Sequence, residues 1–234
     1  MTSPYNLVKT LFPINRSLTG KGNLRTLNIL KNNIKNLEIK FYNSGLKAYD
    51  WIVPKEWNVN EAWIKDQSGN KILDFKNNNL HVISYSDPIN LKMNYKDLTK
   101  KIFFLKNKPD AIPYITTYYK RSWGFSMSYN QFKSLNKNSN YEVFIDSNKK
   151  KGKMYYAEYI KKGLSKKEII FTSYICHPSM ANNELSGPCV LTSLANWIQN
   201  KKTKFSYRFL FIPETIGSIA YISQNYSKLK KNIL

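Results

Sequence analysis

Two loops in the last third of the chain carry side chains that could do chemistry. One, residues 176–188, contains His177, one of only two histidines in the chain. A neutral imidazole is the commonest metal ligand in proteins, so His177 is a candidate metal ligand, with a hydrogen-bonded loop histidine as the alternative. The other loop, residues 213–216, contains Glu214. Partial desolvation at the end of an apolar strand would raise its pKa towards that of a general base; alternatively, Glu214 complements the dipole of the next helix.

The elements that must position these loops are predicted from the hydrophobic pattern. Two near-continuous apolar segments, 168–175 and 206–212, predict strands. Two amphipathic segments, 191–200 and 217–231, predict helices. This alternation is typical of an α/β fold with a mixed, mainly parallel sheet and helices on both faces. Because ligands bind outside the carboxyl ends of strands in such sheets, we expect the two loops to share one site.

The middle of the chain is predicted to contain an insertion. Short strand-like runs punctuated by turn residues predict a small β-rich subdomain at residues 47–93. The α/β domain then consists of residues 1–46 and 94–234. Segments 141–146 and 152–160 lie on either side of a lysine-rich turn and predict an antiparallel hairpin.

Three further residues of reactive type are assigned structural roles. Cys176 and Cys189 are too few for a disulfide scaffold, and no second histidine lies nearby to activate either of them. We expect both cysteines to be buried as small apolar residues. His81 lies in a predicted strand of the inserted subdomain, where we expect a structural histidine.

Composition excludes several classes of protein. Hydrophobic residues make up 42% of the chain, which excludes a disordered protein. No apolar run approaches the length that a membrane-spanning helix requires. The first twenty residues lack the continuous apolar segment of a signal peptide. We therefore expect a cytoplasmic protein with no membrane partner.

The net charge of +22 would suit an anionic partner. Lysine supplies 33 of the 37 basic residues and is spread along the chain, whereas arginine is the preferred residue for bidentate phosphate recognition. This pattern disfavours nucleic acid as a partner and favours a solvated lysine surface. A lysine-rich binder of anionic polymers stays open as an alternative function, because basic and aromatic residues are combined at residues 118–123.

Five longer motifs carry a resemblance to a known family: LFPINRSLTG (11–20), DWIVPKEWNV (50–59), YYKRSWGF (118–125), CHPSMANNELSGP (176–188) and FIPETIGSIAY (211–221). With these motifs the chain resembles the zinc aminopeptidase-like superfamily. More narrowly, it resembles a bacterial branch of domain-of-unknown-function proteins that carry an inserted β domain and are often associated with polysaccharide-biosynthesis loci. The resemblance implies a zinc cofactor, hydrolysis of amide or peptide bonds, and a small peptide-like or acyl-sugar substrate.

The resemblance also implies roles for single residues. His177 matches the first metal ligand, and Asn183 stands where the superfamily places a metal-bridging aspartate. Glu214 matches the glutamate that deprotonates the metal-bound water, and Thr215 stands in the place of a second, metal-binding glutamate. Neither Asn183 nor Thr215 carries a carboxylate, so we expect at most one metal ion and an impaired site. Glu184, beside Asn183, is expected to point elsewhere.

The superfamily takes a further aspartate and a further histidine from downstream segments. No aspartate follows Asp146 and no histidine follows His177. We therefore expect a C-terminally truncated chain, with a partner chain covering the open edge of its sheet. The hypotheses at this point are a metal-dependent hydrolase, a non-catalytic binding remnant of the peptidase fold, and the lysine-rich binder.

Overall fold

The structure, a computed structural model, describes residues 2–234. Within that range the α-helices are α1 Pro4–Leu11, α2 Lys21–Asn33, α3 Tyr95–Thr99, α4 Tyr129–Lys133, α5 Ser186–Gln199 and α6 Ile216–Asn232. The strands are β1 Glu38–Asn43, β2 Lys47–Ala48, β3 Trp51–Ile52, β4 Glu56–Lys65, β5 Lys71–Asp74, β6 Ile89–Asn94, β7 Ile102–Phe103, β8 Phe125–Ser126, β9 Asn140–Lys150, β10 Lys153–Lys161, β11 Glu168–Tyr174 and β12 Ser206–Ile212. These elements confirm the predicted α/β class.

The chain separates into two compact units. Residues 2–56 and 151–234 form the first unit, and residues 57–150 form the second. The second unit extends well beyond the insertion predicted at residues 47–93, because β9 pairs with β6 in its sheet, whose strand order is β5-β4-β9-β6. The assignment of 47–93 as a subdomain inserted into the α/β domain stays a prediction.

The predicted hairpin between residues 141–146 and 152–160 is wrong. β9 belongs to the sheet of the second unit, whereas β10 pairs with β1 and β12 in the sheet of the first. The lysine-rich segment between them therefore passes from one sheet to the other. Sequence alternation alone predicts each strand but does not identify its neighbour.

The sheet of the first unit has the strand order β1-β10-β12-β11. β11 and β12 run parallel, in a register that aligns Glu168 with Ser206 and Tyr174 with Ile212. The β1–β10 and β10–β12 pairs are antiparallel. Among the strands described, the sheet is therefore mixed, but it is less parallel than the sequence predicts. The parallel pair is the part that positions the two loops of interest.

Helices cover both faces of this sheet, as predicted. On one face, Tyr159 and Phe209 of the sheet pack with buried residues of α1, α2 and α5, including Cys189. On the other face, Tyr221 of α6 donates a hydrogen bond to Glu158 (2.6 Å) and accepts one from Arg208 (3.1 Å). The first face thus buries apolar area, which is the dominant favourable term in folding, and the second holds a buried polar network.

The second unit accounts for two residues assigned from sequence. His81 is buried at the end of a 3₁₀ turn, rather than within a strand, and its Nδ1 lies 2.9 Å from the carbonyl oxygen of Ser126. The ring of Tyr118 packs edge-on against Tyr85, whereas the side chain of Arg121 is 97% exposed. The segment 118–123 is thus partly packed and partly solvated. No helix within residues 2–234 combines the length and apolar character needed to cross a bilayer.

Replacing Gly22 with alanine should destabilise the first unit. A β-carbon at this position would collide with the carbonyl oxygen of Asn15, because α2 begins directly against the backbone of the preceding loop. We expect a loss of about 1–3 kcal/mol, as for other overpacked sites, in a urea unfolding curve. The control is Asn32→Ala on the exposed side of the same helix, which should not lose stability because alanine has the higher helix propensity. Equal stability of the two variants would contradict the close approach.

Candidate functional site

The parallel pairing of β11 and β12 brings the two loops to the same edge of the sheet. β11 ends at Tyr174 and β12 ends at Ile212, and these two residues are partners in the register. In the loops that follow, His177 Nε2 lies 3.3 Å from Glu214 Oε2. The histidine is buried, whereas half of the glutamate side chain is exposed. The structure therefore places His177 and Glu214 together, as the expectation of one shared site requires.

Glu184 approaches the same imidazole from its other side. Its Oε2 lies 3.3 Å from His177 Nδ1 and also accepts a hydrogen bond from the backbone N–H of His177. Glu184 belongs to a π-helical turn, Ala181–Leu185, that precedes α5. A π turn is wider than an α turn, and it directs this carboxylate into the interior. The expectation that Glu184 points elsewhere holds for the Nε2 side of the ring but misses the contact with Nδ1.

A buried ion pair holds Glu184 in place. Arg16 Nε lies 2.7 Å from Glu184 Oε1, and both side chains are fully buried. Arg16 Nη1 also donates a hydrogen bond to the carbonyl oxygen of Leu11 (2.6 Å). Because Glu184 accepts a hydrogen bond from the backbone N–H of His177 and lies 3.3 Å from its Nδ1, the Arg16–Glu184 pair fixes the position of the backbone that carries the imidazole.

The loop that carries Arg16 is tied to the loop that carries His177 through α2. The buried side chain of Asn23 accepts a hydrogen bond from the backbone N–H of Ser17 (3.0 Å). The same side chain donates one to the carbonyl oxygen of Ile175 (3.2 Å), at the start of the site loop. The N-terminal motif 11–20 thereby contributes to the site, a role that sequence reasoning did not assign to it.

Asn183 lies on the exposed side of the site. Its side chain is hydrogen-bonded to His177, and its carbonyl oxygen accepts a hydrogen bond from the hydroxyl of Tyr174. The ring of Tyr174 in turn stands edge-on to the imidazole, with ring centroids 5.4 Å apart. The structure therefore brings Asn183 to the same histidine as Glu214.

Cys176 and Thr215 are the remaining residues of the two loops for which the sequence predicts a role. Cys176 is fully buried, as predicted, and its Sγ accepts a hydrogen bond from the N–H of Glu214 (3.2 Å), which joins the two loops. Burial raises the pKa of this thiol, so it stays protonated at neutral pH. Thr215 has a φ of +56° and its side chain makes no capping bond to α6. Such strain persists only where surrounding structure enforces it, and it is common at functional sites.

Burial dominates the ionisation of the site. It lowers the pKa of His177, although Glu214 and the Asn183 hydrogen bond act in the opposite direction. It raises the pKa of Glu184 to about 7, against the effect of Arg16. At neutral pH the imidazole is therefore uncharged, which is the form that binds a metal ion.

The donor atoms fit one metal ion on the exposed side of the imidazole. Cys176, His177 and Glu184 offer donor atoms within 4.8 Å of one another. Both oxygens of Glu184 already accept hydrogen bonds, however, and a cation there would meet the buried guanidinium of Arg16. On the exposed side, the 3.3 Å between His177 Nε2 and Glu214 Oε2 is close to the roughly 3.4 Å that separates two ligands of a tetrahedral zinc ion.

A two-metal centre does not fit these residues. Asn183 and Thr215 are neutral, and Glu184 is held by Arg16 on the opposite side of the ring. No carboxylate of the residues described is thus in a position to bridge two cations beside His177 Nε2. The roles assigned to His177, Asn183 and Glu214 stay predictions, and their geometry favours a single ion.

Sequence reasoning missed Arg16 and the inward orientation of Glu184. A signal for Arg16 is present in the composition, because it is one of only four arginines in a chain with 33 lysines. Arginine is the residue of choice for buried ion pairs, so a rare arginine in a lysine-rich chain could have been assigned a buried carboxylate partner.

Comparisons with known proteins identify the fold. A model of the family described as a domain of unknown function (DUF4910) matches residues 5–234. A Clostridium acetobutylicum protein, described as a candidate polysaccharide biosynthesis protein with an aminopeptidase-like domain, is 48% identical over 226 residues, which are 97% of this chain and 52% of that protein. A crystal structure of a candidate peptidase from C. acetobutylicum has a TM-score of 0.95 at 47% identity, covering 98% of this chain and 54% of the other.

More distant structures show the same architecture. A zinc aminopeptidase from Bacillus subtilis has a TM-score of 0.63 at 11% identity, covering 99% of this chain and 67% of the other. An M28 peptidase precursor from Shewanella amazonensis has a TM-score of 0.62 at 11% identity, covering 99% of this chain and 69% of the other. The fold is therefore peptidase-like, and the family resemblance predicted from the five motifs is confirmed. The chain spans about half the length of its C. acetobutylicum relatives.

Removing the guanidinium of Arg16 should be strongly destabilising. Arg16→Met leaves Glu184 buried without its cation, and at a pH above the value of about 7 to which burial raises the pKa of Glu184, breaking such a pair costs about 3–5 kcal/mol. The matched control is Arg25→Met on the exposed side of α2, which should stay within about 0.5 kcal/mol of the parent. Adding Glu184→Gln to Arg16→Met should recover part of the loss in urea unfolding, because no unpaired charge remains. No recovery would contradict an electrostatic role for the pair.

Both histidines should titrate below the usual imidazole range. Burial lowers the pKa of His177 and of His81 from 6.5. The unfolded chain then binds more protons just below pH 6.5, so these residues make the fold less stable as pH falls through that window. A nuclear magnetic resonance titration of the two rings measures this directly. A His177 ring that titrates above pH 6.5 would show that the neighbouring carboxylates outweigh burial.

Proposed function

The chain belongs to the family described as domain of unknown function DUF4910, and from that premise we propose that it is a metal-dependent, aminopeptidase-like hydrolase of amide or peptide bonds with a reduced metal site. The observation that carries the proposal is the 3.3 Å separation of His177 Nε2 and Glu214 Oε2 at the carboxyl edge of a parallel strand pair. This pairs a neutral nitrogen ligand with a half-exposed carboxylate in a peptidase-like fold.

The residues that would hold zinc are His177, through Nε2, and Asn183, through its amide oxygen. A zinc ion bound there would polarise the substrate carbonyl and lower the pKa of a bound water to about 7. Asn183 contributes no negative charge, and a catalytic zinc site has three protein ligands. We therefore propose that these residues bind one zinc ion less tightly, and support a lower activity, than a site with three charged or histidine ligands would.

Glu214 would act as the general base. Its side chain is half exposed and lies beside the ligand nitrogen, within the one-water reach that proton transfer to a carboxylate requires. Because the same distance suits a third zinc ligand, Glu214 can serve as base only while it stays unbound. If Glu214 is the general base, removing its charge should leave zinc bound. If Glu214 is a zinc ligand, removing its charge should weaken zinc binding.

The substrate class is proposed from the chemistry of the family. We propose that the substrate is an amide, whose carbonyl group would lie beside His177 and be attacked with the help of Glu214. The amide would belong to either a short peptide or an N-acylated sugar. The second class is supported by the name of the C. acetobutylicum relative, which assigns that protein to polysaccharide biosynthesis.

Two substitutions separate the proposed roles of the site residues. We expect the parent chain to bind about one zinc ion in equilibrium dialysis and His177→Ala to bind none. Glu214→Gln should retain zinc and lose about 10²–10⁴-fold in amide hydrolysis, because a general base contributes that much. The control Glu38→Gln removes a carboxylate that is 69% exposed and should change neither property. Loss of zinc in Glu214→Gln would make Glu214 a ligand, and no zinc on the parent chain would contradict the proposal.

Restoring a carboxylate at position 183 should strengthen metal binding. Asn183→Asp adds a negative charge next to the imidazole, and we expect zinc affinity to rise at least tenfold, since carboxylate is a stronger zinc ligand than a neutral amide. Asn182→Asp is the matched control, because it places the same charge on the exposed neighbouring residue. Equal affinities of the two variants in a zinc titration would favour the non-catalytic binding remnant.

A further inference from the structure

Two loops at the opposite end of the parallel strands carry a dense positive charge. Residues 161–167 (KKGLSKK) precede β11, and residues 199–204 (QNKKTK) precede β12; together we call them the lysine loops. Seven of their thirteen residues are lysines and none is acidic, whereas lysine makes up 33 of the 234 residues of the whole chain. The density of lysine in these loops is therefore about four times the average of this lysine-rich protein.

The lysine loops form one continuous surface. The N–H of Leu164 donates to the carbonyl oxygen of Thr203 (3.0 Å), and the N–H of Ser165 donates to that of Lys204 (2.8 Å). A concave site of about 340 Å³ lies between the loops, with four lysines in its lining: Lys161, Lys162, Lys201 and Lys202. Their like charges are held close together with no carboxylate in the lining.

Two large apolar side chains project from this charged surface. Leu164 is 92% exposed, lines the same concave site, and lies in sequence between two lysine pairs. Trp197, in the last turn of α5, is 62% exposed, and the ammonium of Lys201 lies 4.5 Å from the centre of its ring. Exposed apolar side chains surrounded by lysine are typical of surfaces that enter a lipid headgroup layer, where tryptophan is also enriched.

We propose that the lysine loops dock this protein onto the surface of an anionic lipid bilayer. The lysines would supply attraction to acidic headgroups, and Leu164 and Trp197 would enter the interfacial layer. The expectation of no membrane partner rests on the lack of a spanning helix, which surface docking does not require.

A lipid surface explains more of these residues than a soluble polyanion does. Lys201 and Lys202 also complement the negative end of the α5 dipole, but the four lysines of residues 161–167 lie on another segment. Neither loop contains arginine, so the loops act through the point charges of lysine, which attract acidic headgroups without a fixed bidentate geometry. A soluble polyanion would also leave Leu164 exposed to water.

Docking through the lysine loops would turn the candidate site away from the bilayer. β11 and β12 have seven residues each, so about 20 Å separates the loops at their amino ends from those at their carboxyl ends. His177 and Glu214 follow the carboxyl ends and would remain open to solution. The surface thus serves attachment and leaves the site accessible to a dissolved substrate.

Sedimentation with lipid vesicles tests this proposal on the intact chain. We expect binding to vesicles that mix phosphatidylcholine with phosphatidylglycerol, and no binding to phosphatidylcholine alone. Lys162→Glu with Lys166→Glu should weaken binding at least tenfold, and Leu164→Ser about fivefold or more. The matched control, Lys106→Glu with Lys108→Glu, makes the same change of net charge at two exposed lysines of the second unit and should bind like the parent.

Three results would overturn the proposal. Equal loss of binding in the loop and control charge variants would assign vesicle binding to the overall charge of +22. Full binding by Leu164→Ser, with displacement from vesicles by dextran sulfate, would assign the loops to a soluble polyanion. Quenching of tryptophan fluorescence by brominated lipid needs no destabilising variant. It should be strong in the parent chain and reduced in Trp197→Phe, and its absence from the parent would also contradict docking.

Discussion

The parallel pairing of β11 and β12 is the constraint on which the candidate site depends. Because the two strands run in the same direction and end in register, the loops that follow them leave from one edge of the sheet. An imidazole in the first loop and a carboxylate in the second then lie within 3.3 Å of each other, although 37 positions separate them in sequence. The opposite ends of the same strands carry the lysine loops, so one strand pair separates the two surfaces.

The buried Arg16–Glu184 pair adds a second constraint, and it limits what the site can do. The guanidinium neutralises a carboxylate that would otherwise be free to bind a cation, and it fixes that carboxylate on the Nδ1 side of His177. Glu214 is the carboxylate on the Nε2 side, and the side chain of Asn183 is hydrogen-bonded to the same histidine. These donors suit at most a single ion, and they lie in a peptidase-like fold.

Sequence reasoning predicted β11, β12 and the helices α5 and α6 that follow them, and with them the meeting of His177 with Glu214, because apolar strands that precede helices are readable from the hydrophobic pattern. It did not predict strand partners: β9 and β10 are neighbours in sequence but pair in different sheets. It also missed the contact of Glu184 with His177, since that contact depends on a π-helical turn of five residues. Hydrophobic periodicity carries no information about such a turn, nor about a partner as distant in sequence as Arg16.

The proposed hydrolase requires His177 and Glu214 to face a single metal position on the exposed side of the imidazole. Anomalous diffraction at the zinc absorption edge, from crystals of the unmodified chain grown with zinc, measures that position directly. We expect one peak about 2.0–2.1 Å from His177 Nε2, beside the carboxylate of Glu214. A peak on the Nδ1 side, between Cys176 and Glu184, or two peaks bridged at Asn183, would contradict it.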